Sequence, residues 1–137
     1  MNERKDIVKA VVDYIEENLK EDISLDIIAD RIGYSKFYLN RIFSESTGIT
    51  IYRYLQNRRL TAAAEKLVES DEPILQIAYE AGYDTQQAFS YAFKQIYHQP
   101  PKVYRETGLY VPKQGRIFMR SANLKSENHG RFKGAAA

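Results

Sequence analysis

Two stretches of the chain decide its fold: ADRIGYSKFYLNRIF at residues 29–43 and AYEAGYDTQQAFSYAF at residues 78–93. The second repeats the first at an offset of 49 positions before the turn and 50 positions after it, because Gly-Tyr-Ser becomes Gly-Tyr-Asp-Thr. Self-similarity at a fixed spacing indicates two copies of one supersecondary unit. The matching pairs are Ala29 and Ala78, Gly33 and Gly82, Tyr34 and Tyr83, Leu39 and Phe89, Phe43 and Phe93, and Tyr54 and Tyr104.

Each copy reads as a helix, a glycine turn and a second helix. The small alanine four residues before each glycine allows two helices to approach closely, and each second helix has one apolar face. This order is the plan of a helix-turn-helix unit, whose second helix enters the major groove in DNA-binding proteins. Helical hairpins are common, so two hairpins of a helical repeat or adaptor protein remain the alternative at this point.

The sequence around the repeats predicts further helices. Apolar residues recur every three or four positions near the start of the chain, which is typical of an amphipathic helix. Serine or threonine caps precede several apolar runs, at Ser24, Ser35 and Thr50, and glycines follow them. The predicted helices are Asp6–Leu19, Leu25 to about Ile32, Lys36 to about Ser46, Ile51 to about Glu69, Pro73 to about Ala81, a helix capped by Asp84 or Thr85 that runs to about Tyr97, and a short turn from Pro100 through Arg105.

These elements predict an all-α fold of about seven helices, in which a long linker helix joins two helix-turn-helix subdomains. We expect residues 1–107 to form this domain, with lobe one at about 6–49, the linker helix at about 50–70 and lobe two at about 71–107. Residues 108–137 form a C-terminal extension that is partly disordered or begins a further domain. Within it, residues 110–120 suit a short hairpin or an extended tail, residues from 121 onward are polar, and the terminal Gly-Ala-Ala-Ala resembles a cloning scar.

Composition limits the classes of function. The 137 residues contain no cysteine, so disulfides and thiolate metal sites are excluded, and neither a signal segment nor a membrane-spanning apolar run is evident. We therefore expect a cytoplasmic protein. The net charge of +2 conceals two basic blocks. Residues 31–60 hold six basic side chains and one acidic side chain, and residues 98–137 hold eight basic and two acidic side chains. Such segregation is typical of a protein with one anion-seeking face, although charge blocks also solvate helices.

The outer face of the helix after Ser35 carries candidate DNA-contacting residues. Phe37, Asn40 and Arg41 lie three and four positions apart and so share a face. Arginine can bind guanine through two hydrogen bonds, asparagine can bind adenine or a phosphate, and an aromatic ring can pack on a thymine methyl group or a sugar. We expect Ser35, Lys36 and Tyr38 to contact phosphates at the positive end of the helix. The alternative places Phe37 and Tyr38 in the core and leaves Arg41 as a surface charge.

The corresponding helix of the second copy offers Gln86, Gln87, Ser90 and Tyr91 as base-contacting residues, with Thr85 and Lys94 on phosphates. Glutamine can hydrogen-bond the edge of adenine or a phosphate, and lysine reaches the DNA backbone. Tyr91 could stack on a sugar, donate to a phosphate or lie back on the protein. Two solvated glutamines are the plain alternative.

Between the copies, the helix that carries Arg53, Arg58 and Arg59 is expected to space the two reading helices. Reading successive major grooves on one face of straight DNA requires about 34 Å between them, and closer helices would require the DNA to bend. We expect at least one of Arg58 and Arg59 to have a structural role.

Catalysis is not indicated. No Ser-His-Asp, Cys-His or paired-carboxylate pattern is evident, and the two histidines, His98 and His129, have no ligand-like neighbours. We therefore expect no enzyme activity, no metal and no cofactor, and we interpret His98 as a loop residue. The competing non-enzymatic hypothesis is a helical protein-interaction module without specific DNA binding, anchored by Phe37 and Tyr91.

With these residues in view, residues 4–107 resemble the AraC/XylS class of bacterial regulators, and most of all its MarA–SoxS–Rob subgroup. The resemblance covers both copies at fixed spacing. The residues that carry it are Ala29, Gly33-Tyr34-Ser35-Lys36, Leu39, Arg41, Phe43, Gly48, Tyr54, Arg58-Arg59-Leu60, Ala63, Pro73-Ile74, Ile77-Ala78, Gly82-Tyr83, Gln86-Gln87, Phe93-Lys94, Pro101 and Tyr104-Arg105.

The resemblance implies a bilobed helical domain that binds an asymmetric site of about two helical turns as a monomer. It also implies transcription activation through contact with RNA polymerase, often at stress-defence or efflux genes. The chain departs from the subgroup, which usually has Trp at Phe37, Gln at Asn40, Thr at Ala88 and Arg at Tyr91. The last departure removes a charged contact from the second reading helix, so the target sequence is expected to differ.

Overall fold

In the computed structural model, residues 3–119 and 124–126 are described, and they contain seven α-helices and one short β-hairpin. The predicted all-α fold of helix-turn-helix units is confirmed. Within the described residues, no helix combines the length and the apolar character needed to cross a membrane. The elements are α1 (Glu3–Glu17), α2 (Leu25–Ile32), α3 (Lys36–Thr47), α4 (Ile51–Glu69), α5 (Ile74–Glu80), α6 (Gln86–Tyr97), α7 (Pro101–Thr107), β1 (Ile117–Met119) and β2 (Leu124–Ser126).

The described chain divides into two compact units. The N-terminal unit comprises residues 3–56 together with the hairpin segment from residue 116, and the C-terminal unit comprises residues 57–115. The division falls inside α4, so this helix contributes its first turns to one unit and its remaining turns to the other. Each unit has its own hydrophobic core, and the linker helix is therefore also a core helix in both.

The repeated residues explain the two cores. In the N-terminal unit, Leu39 and Phe43 of α3 and Tyr54 of α4 are fully buried against α1. In the C-terminal unit, Phe89 and Phe93 of α6 are fully buried and pack with the rings of Tyr97 and Tyr104. The positions that recur in the sequence are thus the positions whose burial holds each second helix in place.

Local signals set most helix boundaries. The predicted caps are confirmed, because the side chains of Ser24, Ser35, Thr50 and Thr85 accept hydrogen bonds from backbone N–H groups three residues further on. Each bond satisfies one of the donors that the first helical turn leaves unpaired. Gly48 ends α3 with φ of 81°, in the left-handed region that glycine adopts without steric cost.

Some boundaries differ from the sequence expectations. Helix α1 is Glu3–Glu17 rather than Asp6–Leu19, since a charged first turn can precede the apolar stripe. Pro73 precedes α5 as its cap residue and lies outside the helix. His98 is more than a loop residue: it caps the end of α6 with φ of 63°, and its N–H bonds the carbonyl of Lys94.

The hairpin is formed by residues 117–119 and 124–126, later than the expected 110–120. Its antiparallel register pairs Ile117 with Ser126. The expected polar tail from residue 121, with His129 and the terminal alanines, lies outside the described residues apart from β2.

The segment after α7 is built into both cores. In the C-terminal unit, Val111 donates its N–H to the Tyr104 hydroxyl at 2.7 Å and accepts from the Tyr97 hydroxyl at 2.8 Å. Burial raises the pKa of both tyrosines, so their hydroxyls keep their protons. Gln114 is also buried there, and its N–H donates to Thr61.

In the N-terminal unit, the same segment supplies Ile117, whose side chain is buried in the core and whose N–H donates to the Tyr54 hydroxyl at 3.2 Å. Its neighbour Arg116 forms an ion pair with Asp13 of α1 at 2.6 Å. Burial acts to raise the pKa of Asp13, but hydrogen bonds from Lys9 and Arg116 outweigh it, and the pKa is lowered. The segment that the sequence presented as an extension is therefore part of the packed structure as far as residue 117.

Candidate nucleic-acid interface

The outer face of α3 is defined by what the core leaves outside. Because Leu39, Ile42 and Phe43 are buried, the residues on the opposite side of the helix face away from the core. We call this face the α3 stripe; it consists of Phe37, Asn40, Arg41 and Ser44. Phe37 is 78% exposed, so it is not a core residue. An aromatic ring on the surface of a reading helix is available for contact with a base or a sugar.

Arg41 projects from the middle of the α3 stripe and has two weak intramolecular contacts. Its guanidinium lies 5.5 Å from the centre of the Tyr38 ring and 3.8 Å from the Glu45 carboxylate. The ion pair with Glu45 is exposed, and exposed ion pairs contribute little to stability. The side chain is therefore oriented near the helix and can exchange these partners for a base edge.

Tyr38 is half-buried. Its exposure is therefore intermediate between that of a core residue and that of an exposed residue in contact with a phosphate. Its ring packs against Tyr34 in the turn, at 5.3 Å between ring centres. The Tyr34 hydroxyl donates to Glu3 at 2.9 Å, and this hydrogen bond to a carboxylate raises the pKa of Tyr34. Tyr38 thus connects the turn to Arg41 and can position that guanidinium as well as reach a phosphate.

Asn40 has a structural partner that its sequence position did not reveal. Its side-chain oxygen accepts a hydrogen bond from the N–H of Ile51 at 3.1 Å, in the first turn of α4. Binding adenine through two hydrogen bonds requires both the oxygen and the NH₂ group of an asparagine. The bond to Ile51 uses one of the two lone pairs of this oxygen, so the amide keeps its NH₂ group and one lone pair for DNA, in an orientation set by α4.

The α6 stripe occupies the same place in the C-terminal unit. Phe89, Phe93 and Tyr97 are buried, which turns the opposite face of α6 outward. The α6 stripe consists of Gln87, Ser90, Tyr91 and Lys94, with Gln86 beside it; all are exposed except half-buried Ser90. Tyr91 is 71% exposed, and within the described residues it has no hydrogen bond, ion pair or ring partner, so it does not lie back on the protein.

The two helix starts share a chemistry suited to phosphate. Ser35 and Thr85 use a lone pair to cap the helix, which leaves each hydroxyl hydrogen free to donate. Lys36 is held by Asp26 at 3.1 Å and lies 5.9 Å from the centre of the Phe37 ring. The helix dipole adds partial positive charge at each start.

The arginines of α4 divide by role. Arg58 donates to the backbone carbonyl of Gln114 at 2.6 Å, which confirms a structural role for at least one of this pair. Arg59 lies over the turn of the second repeat, so close that a Cβ added at Gly82 would be 2.7 Å from its Nη1 atom. Gly82 has φ of 91°, so the backbone conformation favours glycine there, and a larger residue would also displace the end of the Arg59 side chain.

Two of the candidate DNA-contacting residues, Arg41 and Lys36, have acidic partners that were not predicted from the sequence. Glu45 follows Arg41 by four positions, a spacing that predicts a helical ion pair and could have been recognised. Asp26 lies on another helix and gave no local signal for its pairing with Lys36. Among the described residues, no cluster of histidine and carboxylate side chains could hold a metal ion.

Comparison with known proteins agrees with this geometry. A family model described as "Helix-turn-helix domain" matches residues 28–107. Multiple antibiotic resistance protein MarA of Salmonella typhimurium is 39% identical over 103 residues, covering 75% of this chain and 81% of MarA.

Two solved structures share the fold. The C-terminal domain of AraT, a response regulator from Geobacillus stearothermophilus, superposes with a TM-score of 0.72 and 31% identity, covering 94% of this chain and 99% of that domain. The DNA-binding domain of AdpA, a global transcriptional factor whose structure is a complex with a target DNA, gives a TM-score of 0.69 and 25% identity, covering 73% of this chain and 90% of AdpA's.

Proposed function

The chain belongs to the AraC-type helix-turn-helix family of DNA-binding transcription regulators, and from that premise we propose how it reads DNA. Helices α3 and α6 enter successive major grooves of one asymmetric site, as the second helices of helix-turn-helix units do. The observation that carries the proposal is the pair of outward stripes, each opposite a buried aromatic face and each beginning at a capped helix start.

In the first groove, Arg41 reads guanine and Phe37 packs on a thymine methyl group or a sugar. Ser35, Lys36 and Tyr38 bind phosphates and set the register of the helix. Asn40 contacts a base through its amide, whose oxygen also accepts a hydrogen bond from the N–H of Ile51 in α4.

In the second groove, Gln86, Gln87, Ser90 and Tyr91 contact bases, and Thr85 and Lys94 contact phosphates. Gln86 is in the first turn of α6, where side chains of a reading helix reach base edges. The exposure of these side chains supports the assignment.

We infer the regulatory action from the proteins to which the chain is similar. We propose that a monomer on DNA activates transcription by contacting RNA polymerase in the bacterial cytoplasm, at genes of stress defence or efflux. The likeness to MarA, which is named for multiple antibiotic resistance, supports this assignment. Two reading helices within one chain remove the usual need for dimerisation, because they supply both half-site contacts.

The test is selection of binding sites from a random duplex library, followed by anisotropy titration of the selected site at several salt concentrations. An asymmetric motif spanning two major grooves is the expected result, with an affinity loss of about 10³–10⁵ between 50 and 200 mM salt if six to ten phosphates are contacted. A motif confined to one groove would remove one helix from the proposal. No enrichment, together with salt-insensitive binding, would favour the protein-interaction module instead.

A further inference from the structure

The aromatic and the hydrogen-bonding side chains occur in opposite order along the α3 stripe and the α6 stripe. The 50-residue offset of the repeat places Gln87 at the position of Phe37, and Tyr91 at the position of Arg41. The α3 stripe thus presents an aromatic ring near the helix start and a hydrogen-bonding group one turn later. The α6 stripe presents the hydrogen-bonding group first and the aromatic ring one turn later.

This interchange, which rests on the proposed function, carries a statement about base identity. We propose that α6 reads two A·T base pairs that lie two steps apart, with Gln87 hydrogen-bonded to an adenine and the ring of Tyr91 packed on a thymine methyl group. The order of the hydrogen-bonded base and the methyl contact is then reversed relative to α3.

The placement of the two side chains supports this division. Gln87 and Tyr91 are four residues apart on one face of α6, a rise of about 6 Å along the helix axis. That rise spans about two steps of the 3.4 Å base-pair spacing, so the two residues face base pairs two steps apart in one groove. Ser90 between them is small and half-buried, which allows the helix to approach the bases closely.

The chemistry of the groove selects the partners. A glutamine amide offers one donor and one acceptor, which match the N7 acceptor and N6 donor of adenine. Thymine is the base that presents a methyl group in the major groove, and an exposed ring is a suitable apolar partner for it. Tyr91 cannot replace the five donors of an arginine, so a guanine contact like that of Arg41 is not available at this position.

The position of the charged side chain also differs between the two stripes. The α6 stripe contains one charged side chain, Lys94, which follows Tyr91 by three residues and suits a phosphate at the groove edge. Within the described residues, Lys94 has no ion pair. Gln87 and Tyr91 contribute no charge, so their contacts are expected to give base preference with little salt dependence.

The experiment replaces single thymines of the selected site by deoxyuridine, which removes only the methyl group. We expect one thymine in the α6 half of the site to lose affinity about fourfold when substituted, as burial of one such carbon implies. This penalty should disappear in Tyr91→Ala and remain in Tyr91→Phe, which keeps the ring. Phe37→Ala serves as the internal control, because it should leave the penalty in the α6 half unchanged.

The experiment distinguishes failure of the A·T assignment from failure of the proposed function. If a two-groove motif is recovered but no deoxyuridine penalty depends on Tyr91, the A·T assignment is wrong while the proposed function stands. If no motif is recovered, the proposed function fails and this inference with it. Thermal unfolding of each variant checks the fold, and Tyr91→Ala should retain it because Tyr91 is 71% exposed.

Discussion

Helices α3 and α6 have the same length, the same kind of cap and two equivalent buried positions, Leu39 with Phe89 and Phe43 with Phe93, but their outward faces carry different chemistry. Both contain 12 residues, and the caps Ser35 and Thr85 are 50 positions apart. The buried faces must fill a core, which tolerates few changes of volume. The outward faces are free of that constraint, so the duplicated unit keeps its frame while the two faces diverge.

At a second pair of equivalent residues, the two units keep the same chemistry. Tyr54 and Tyr104 are repeats of each other, and each hydroxyl accepts a hydrogen bond from a backbone N–H of the segment after α7. The donors, Ile117 and Val111, are not repeats of anything in the first copy. The duplication thus supplied both units with the same acceptor, and a segment outside the repeat uses both.

The largest difference between the units is expected at this segment. Ile117→Ala should destabilise the N-terminal unit by about 2–5 kcal/mol, because Ile117 is buried in that core and the change leaves a cavity. The C-terminal unit should be unaffected. Hydrogen exchange of the buried amides of α1 and α6 measures the two units separately.

Val111→Ala is the matched control, since Val111 is half-buried and is held through its backbone. Its effect should remain below about 1 kcal/mol, within the range of substitutions away from a core. Equal protection loss in both units after Ile117→Ala would contradict the separate roles of the segment.

The next largest effect separates the α3 and α6 stripes in binding. Arg41→Ala should flatten the base preference at one position of the selected site, a loss of about 1–3 kcal/mol in discrimination. Lys94→Ala should instead weaken all sequences similarly and reduce the salt slope by about 1. Titration of the selected site and a scrambled duplex at several salt concentrations distinguishes the two. If both variants bound like the parent, the assigned faces would be wrong.

A smaller effect compares the two tyrosine acceptors. Tyr54→Phe should destabilise the protein by about 1–2 kcal/mol, because the buried N–H of Ile117 loses its acceptor. Tyr104→Phe should cost less, because Val111 is half-buried and water can replace the hydroxyl. Chemical unfolding of the two variants gives the order; a larger loss for Tyr104→Phe would contradict it.

These comparisons also show what the sequence could predict. The caps at Ser24, Ser35, Thr50 and Thr85 depend on atoms three residues away, so local sequence was sufficient. The buried face of each second helix followed from apolar spacing and from the repeat. Exposure of Phe37 and Tyr91 could not be decided, because an aromatic residue suits either side of a helix until the core is known.

The remaining features depend on distant partners. Asn40 bonds Ile51 across 11 positions, and the bonds of Gln114 and Ile117 reach partners 53 and 63 positions away. No composition signal marks such a pairing, and the polar composition from residue 121 onward favoured an extension. Tertiary contact, rather than local preference, gives this segment its place.

The smallest expected effect concerns the residues that end the two reading helices. Gly48 and His98 are repeats of each other, and both have positive φ, at 81° and 63°. His98→Gly should stabilise the C-terminal unit by about 0.5–1 kcal/mol, because the left-handed strain of a side chain outweighs the entropy that glycine loses on folding. Gly48→His should destabilise the N-terminal unit by a similar amount. Thermal unfolding at pH 8 measures both, and a loss of stability in His98→Gly would mean that the histidine side chain contributes more to the end of α6 than its backbone strain costs.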